Sequence, residues 1–152
     1  MDVRMDGRVA LITGASRGLG LAMAKKFASS GADVVICARR GDVLEAARAE
    51  IAAESGGKIR AFRCDVSDGA QIDTLFAAAI AALGKVDILV NNAGSSATGN
   101  FEEITDEMWR QDFDLKLFAT IRLTRLALPG MKSRGWGRII NISGLNARIA
   151  GN

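Results

Sequence analysis

TGASRGLG, residues Thr13 to Gly20, decides how the rest of the chain is read. It follows the short apolar run VALIT (Val9 to Thr13) without a break. It passes directly into a stretch in which Leu19, Met23 and Phe27 recur every four positions, with Lys25 and Lys26 turned away. Strand, glycine-rich turn and helix therefore meet in quick succession. Glycine permits positive φ in a tight turn and lets backbone amides approach a ligand, while a helix N-terminus favours negative charge. A phosphate fits such a place. Gly14, Gly18 and Gly20 are spaced GxxxGxG rather than GxGxxG. An ATP or GTP phosphate loop would need Gly-Lys-Ser/Thr at its end, and Leu21 and Ala22 follow Gly20 instead. Three glycines also satisfy a purely structural turn, but their place between the first strand and the first helix favours the ligand.

Outward from this turn the two periods keep alternating. Apolar runs recur at DVVIC (Asp33 to Cys37), IRAF (Ile59 to Phe62), DILVN (Asp87 to Asn91) and RIINI (Arg138 to Ile142), rich in Val and Ile as strands buried on both faces should be. Between them Val43, Leu44, Ala47 and Ile51 form one helical stripe, and Ile72, Leu75, Phe76, Ala79, Ile80 and Leu83 form another. A fourth helical region, about Thr105 to Met131, carries Phe113, Leu117, Phe118, Ile121 and Leu126 over a wide arc, as a helix packed on a second subunit would. Strand and helix alternate to a fifth strand, which predicts an α/β fold: a doubly wound parallel sheet with helices on both faces.

Composition narrows the class. The 152 residues suit one domain, 49% of them are hydrophobic, and the only proline is Pro129. Twenty Lys and Arg against 17 acids give a net charge of +3, but aromatics are only 5% and no basic run exceeds two residues, so no nucleic-acid partner is indicated. Cys37 and Cys64 lack any metal-ligand spacing and read as small buried residues. The start is not a secretory signal, and the longest apolar stretch, LFAAAIAAL (Leu75 to Leu83), is too short to span a membrane. Cytoplasm is the expected compartment.

At this point the sequence resembles the short-chain dehydrogenases/reductases. TGASRGLG matches their TGxxxGxG cofactor motif. NNAG (Asn91 to Gly94), after the fourth strand, matches their second hallmark, and CDV (Cys64 to Val66) matches the segment whose Asp approaches adenine. The resemblance covers the whole chain. It implies a single NAD(P)-binding Rossmann domain over residues 1–152 with strand order 3-2-1-4-5, lacking the family's later strands. It also implies a nicotinamide cofactor held near Gly14, Ser16, Arg17, Gly18, Leu19, Gly20, Asp65, Val66, Asn92, Ala93 and Gly94, a small-molecule carbonyl or alcohol substrate, and a homo-oligomer for a full-length form.

The second strand addresses the choice of cofactor. An NAD enzyme places a carboxylate there for the ribose 2′-hydroxyl, whereas an NADP enzyme supplies positive charge for a 2′-phosphate. VVICARR ends in Ala38, Arg39 and Arg40 with no acid, and Arg17 approaches from the glycine loop. Arginine's planar fork suits phosphate, so NADP(H) is preferred over NAD(H), with Arg39 and Arg17 as the binding pair and Arg40 spare.

The chemistry is less complete. Hydride transfer to a carbonyl needs a proton donor beside the substrate oxygen. The family uses a Tyr and a Lys four residues apart after the fifth strand, a Ser from that strand's end and an Asn in the fourth helix. The sequence contains no Tyr and no His. On the resemblance the YxxxK helix would follow Asn152, so these residues are expected to be an inactive, incomplete form with RIINI left as an exposed sheet edge that hinders a well-behaved dimer. Two departures precede that point. NISG puts Gly144 where the family's Ser would stand, with Ser143 one residue early, and the helix Asn aligns with Asp114 in FDLKLF. The expected function is an NADP(H)-dependent short-chain oxidoreductase. The alternatives are a non-catalytic nucleotide-binding or regulatory protein and, fitting less well, an adenosyl-methionine methyltransferase. No metal site is expected.

Overall fold

The structure is a computed structural model that describes residues 3–95 and 99–144. Five parallel strands form one sheet: β1 (Val9–Thr13), β2 (Asp33–Ala38), β3 (Ile59–Arg63), β4 (Ile88–Asn91) and β5 (Arg138–Asn141), in the order β3-β2-β1-β4-β5. Five helices connect them: α1 (Gly18–Ser29), α2 (Gly41–Ala53), α3 (Gly69–Leu83), α4 (Asp106–Phe113) and α5 (Ala119–Ser133). A π-helical turn, Asp114–Phe118, joins α4 to α5.

The alternation of strand side chains divides the core into two layers. Ala10, Ile12, Val34, Ile36, Ile88 and Val90 face one way and pack with α1 and α2 through Ala24, Ala28, Leu44, Ala47 and Ile51. Leu11, Val35 and Leu89 face the other way and pack with α3 and α5 through Ile72, Leu75, Ala79, Leu123, Ala127 and Met131. β1 lies between β2 and β4 and is buried along its whole length. Local signals set the helix ends. Asp68 caps α3 by accepting from the Ala70 and Gln71 amides at 2.9 and 3.3 Å, and Gly84 closes the same helix at φ 82°.

Two expectations change. The contact face of α1 is Gly20, Ala24 and Ala28, not the stripe of Leu19, Met23 and Phe27; Met23 and Phe27 pack at its margin, and Leu19 is exposed. Small side chains win there because the helix lies close on the sheet. β3 and β5 are not buried on both faces: as the outer strands of the sheet they alternate or expose their residues. The wide apolar arc of the fourth helical region is present, with Ala119, Leu123, Ala127 and Met131 inward and Phe113, Leu117 and Phe118 exposed.

The direct consequence for function is the reversal of strand order. The chain runs outward from β1 to β3 and then returns to pair β4 on the other side of β1. The carboxyl ends of β1 and β4 therefore flank a crevice, the place where open α/β sheets take ligands.

Candidate nucleotide-binding site

Gly14 leaves β1 at φ 65°, and Gly18 opens α1 at φ 56°, both in the left-handed region that glycine adopts without strain. A Cβ on Gly14 would stand 2.8 Å from Ala93 Cα, and one on Gly20 would stand 2.5 Å from the Gly14 carbonyl oxygen. These two glycines let the loop lie directly on the NNAG segment. A Cβ on Gly18 would meet nothing within 4 Å, because that position faces the open cleft. The first turn of α1 contains no acid, and Arg17 at its N-cap offers no side-chain cap. Its free amides and positive dipole end thus remain available to an anion.

Thr13 joins the two motifs. Its hydroxyl accepts from the Asn92 and Ala93 amides at 3.0 and 2.9 Å and donates to the Val90 carbonyl at 3.4 Å. Asn92 answers by donating through Nδ2 to the Thr13 and Gly14 carbonyls at 2.9 and 3.2 Å. Asn91 turns the other way and donates to Asn141 Oδ1 at 2.8 Å, tying the ends of β4 and β5. The glycine loop is also held to β2, where the Ala15 amide donates to the Cys37 carbonyl at 3.2 Å.

A cleft of about 450 Å³ opens above these contacts, within the usual range for small-molecule sites. Every predicted cofactor residue lines it: Gly14, Ser16, Arg17, Gly18, Leu19 and Gly20 from the loop, Arg39 from the end of β2, Asp65 and Val66 after β3, and Asn92, Ala93 and Gly94 after β4. Leu115, in the π-helical turn, also reaches it and was not anticipated. Around Asp65, the carboxylate accepts from the Ser67 amide and hydroxyl at 3.0 and 2.7 Å, and its own amide donates to Gln71 Oε1 at 2.9 Å.

The cations differ in their engagements. Arg40 pairs with Asp42 at 3.2 Å, whereas Arg17 and Arg39 have no side-chain partner among the described residues. Arg63 donates through Nε to the Arg39 carbonyl at 3.0 Å and steadies the backbone that carries Arg39.

The two predicted catalytic positions lie apart from this constellation. Asp114 opens the π-helical turn and faces Arg122 at 3.6 Å. Ser143 is exposed, one residue past Ile142, whose amide makes the last ladder bond, to the Asn91 carbonyl at 3.0 Å. Neither lines the cleft. At the opposite end of the sheet Asp87 is buried; it accepts from the Val9 amide at 3.1 Å and pairs with Lys85 at 2.9 Å and Arg134 at 3.3 Å. Burial pushes its carboxyl up, but these partners outweigh burial and hold it below the ordinary value. Asp87 is an anchor for the sheet rather than part of the site.

Glycine turn, reversed strand order and the two facing motifs together define a doubly wound α/β half-sheet with its crevice at the carboxyl ends of β1 and β4. The short chain dehydrogenase family model matches residues 8–152, and the chain belongs to that family. It is 39% identical to the D-beta-hydroxybutyrate dehydrogenase of Cupriavidus necator over 147 residues, covering 96% of this chain and 56% of the relative. It superposes on the L-sorbose reductase of Gluconobacter frateurii, solved with NADPH and L-sorbose, with a TM-score of 0.94 at 37% identity, covering 97% of this chain and 56% of that one. A 7-alpha-hydroxysteroid dehydrogenase solved with NADH and a 7-oxo bile acid gives a TM-score of 0.93 at 36% identity, covering 99% and 58%. The chain thus spans about half the length of the relatives it matches.

Proposed function

We propose that the cleft binds NADP(H) in preference to NAD(H), in a protein that moves hydride between the nicotinamide and a small carbonyl or alcohol substrate. The observation that carries the cofactor choice is the pair of unpartnered guanidinium groups, Arg17 and Arg39, beside a second strand that ends in Ala38 with no carboxylate. Family membership does not make this choice, since one similar structure holds NADPH and another NADH. Two charge-assisted contacts to a 2′-phosphate supply what a ribose hydroxyl cannot.

The remaining residues fit the rest of a dinucleotide. The loop amides and the N-terminus of α1 receive the pyrophosphate, and Asp65 and Val66 border the adenine. Leu19, exposed to the cleft, and the Asn92–Gly94 backbone wall the nicotinamide side. When bound, the cofactor supplies the hydride. Outside the cleft, Ser143 stands one residue before the family's Ser position and Asp114 stands at its Asn position, where Arg122 pairs with the carboxylate.

With no Tyr and no His in the 152 residues, we assign these residues nucleotide binding without turnover on their own. Gly144 and Asp114 at the family's Ser and Asn positions favour a second reading, a nucleotide-binding or regulatory protein without catalysis. The exposed face formed by Trp109, Phe113 and Leu117, with the two rings stacked at 5.7 Å, supports self-association of the whole protein.

Fluorescence titration with NADPH and NADH tests the cofactor choice. The expected result is tighter binding of NADPH, with the order lost or reversed by Arg39→Asp. Tighter binding of NADH, or a preference untouched by Arg39→Asp, would refute it. NADPH consumption across a panel of ketones and aldehydes, by the 152-residue chain and by any longer form, separates enzyme from binder.

A further inference from the structure

Arg122, in the first turn of α5, reaches two neighbouring segments at once. Its Nη1 donates to the Ser67 carbonyl at 3.4 Å, and its Nη2 faces Asp114 Oδ1 at 3.6 Å. The guanidinium carbon stands 5.7 Å from the centre of the Phe118 ring. A Cβ on Gly69 would stand 3.4 Å from Arg122 Nε, so the side chain lies along the start of α3. The turn after β3, the π-helical turn and α5 thus meet at one side chain.

Each partner adjoins a residue that lines the cleft. Asp114 directly precedes Leu115, and Ser67 directly follows Val66. The turn that carries Ser67 is also bonded to itself. Asp65 accepts from the Ser67 amide and hydroxyl, its carbonyl accepts from the Asp68 amide at 3.1 Å, and Gln71 holds its amide. A restraint on the Ser67 carbonyl therefore reaches Asp65 through a closed set of short contacts. Arg122 itself does not line the cleft.

We infer that Arg122 is a positioning residue of the cleft: it ties the turn after β3 to the π-helical turn, and so fixes Asp65 and Leu115 at the end that takes adenine. The adenine clause rests on the dinucleotide reading above; the tie between the two turns does not.

Stability gains little from such a contact. The Arg122 and Asp114 side chains are 36% and 42% exposed, and ion pairs open to water contribute little to folding. Position gains more. The two cleft segments belong to separate elements, and a ligand that touches both must order them on binding unless they are already held. A planar fork of several donors can hold a carbonyl and a carboxylate together, which a single ammonium does less well.

The test combines hydrogen exchange with titration of the two halves of the cofactor. In Arg122→Ala without ligand, the amides of residues 67–71 should exchange at least ~5-fold faster than in wild type. Affinity for adenosine 2′,5′-bisphosphate should fall ~3–10-fold, while that for reduced nicotinamide mononucleotide, which lacks the adenosine half, stays within about twofold. Asp114→Ala should lose less, and the double variant should bind no worse than Arg122→Ala, because the two residues act through one contact. Arg122→Lys, which keeps the charge without the fork, should recover only part of the loss. Unchanged exchange at residues 67–71 would overturn the tie. Bisphosphate affinity within about twofold of wild type, equal losses for both half-cofactors, or additive losses in the double variant would overturn the positioning role. Faster exchange in Arg122→Ala, in a protein whose wild type binds no adenosine bisphosphate, supports the tie and defeats the dinucleotide reading instead.

Discussion

Replacing Thr13 by Val removes one oxygen and keeps the β-branched shape that a central strand accommodates. Thr13 is 2% exposed, and its hydroxyl is the acceptor for two backbone amides, Asn92 at 3.0 Å and Ala93 at 2.9 Å, as well as the donor to Val90. Valine leaves both amides without an acceptor and sets a methyl against them. An orphaned buried polar group costs ~1–3 kcal/mol. Asn92 and Ala93 are only half-buried, at the edge of the cleft, so water recovers part of the loss. The expected destabilisation is ~2–3 kcal/mol in total, near the low end for two groups. For a chain of this length that lowers Tm by ~5–10 °C. The same change loosens the contact of Gly14 on Ala93 that shapes the crevice, so NADPH affinity should fall with stability. Urea titration and thermal melts measure the first effect, and fluorescence titration the second. Thr13→Ser, which restores the hydroxyl, should recover most of both. A Thr13→Val protein within ~0.5 kcal/mol of wild type, the ordinary range for a neutral substitution, would refute the reasoning. A Thr13→Ser protein as damaged as Thr13→Val would do the same.

Three further outcomes follow from particular contacts. Gly20→Ala places a Cβ 2.5 Å from the Gly14 carbonyl oxygen and 2.6 Å from Asn92 Nδ2; neither neighbour can yield without breaking the site, so the variant should lose NADPH binding and ~3 kcal/mol or more of stability in paired melts and titrations. Arg40→Ala should leave NADPH affinity within about twofold, below the ~1.4 kcal/mol of a tenfold change, because Arg40 is engaged by Asp42; a large loss by titration would show that the phosphate site was assigned to the wrong arginine. Asp87→Asn tests the sheet anchor through pH. The Asp87 carboxyl is held below its ordinary value of 3.8 in the folded protein, so its contribution is complete above that value and disappears as pH falls through the lower folded one. The stability gap between wild type and Asp87→Asn, from urea midpoints, should stay level above pH ~5 and close below pH ~4.

Much of the fold could be read from alternating periods, because strand and helix burial leave different spacings in the residues themselves. All twelve anticipated cofactor residues reach one cleft, since motifs at the carboxyl ends of parallel strands converge wherever the strand order reverses. Other features could not be read in this way. Leu19 looked like core because it is large and apolar, yet the α1 contact is made by Gly20, Ala24 and Ala28, whose value is their small size. Thr13 read only as a strand former; its partners stand 79 and 80 residues away, and nothing local announces a hydroxyl shared by two distant amides. Leu115 depends on the π-helical turn, which the apolar arc of that region does not signal.

The central claim is that the cleft is built for a 2′-phosphate. Calorimetric titration with adenosine 2′,5′-bisphosphate and with adenosine 5′-monophosphate isolates that group from the rest of the cofactor. Charge-assisted hydrogen bonds contribute ~1.5–3 kcal/mol, so the bisphosphate should bind at least ~10-fold more tightly. The gap should narrow as salt screens Arg17 and Arg39. Equal affinities, or a preference for the monophosphate, would contradict the account.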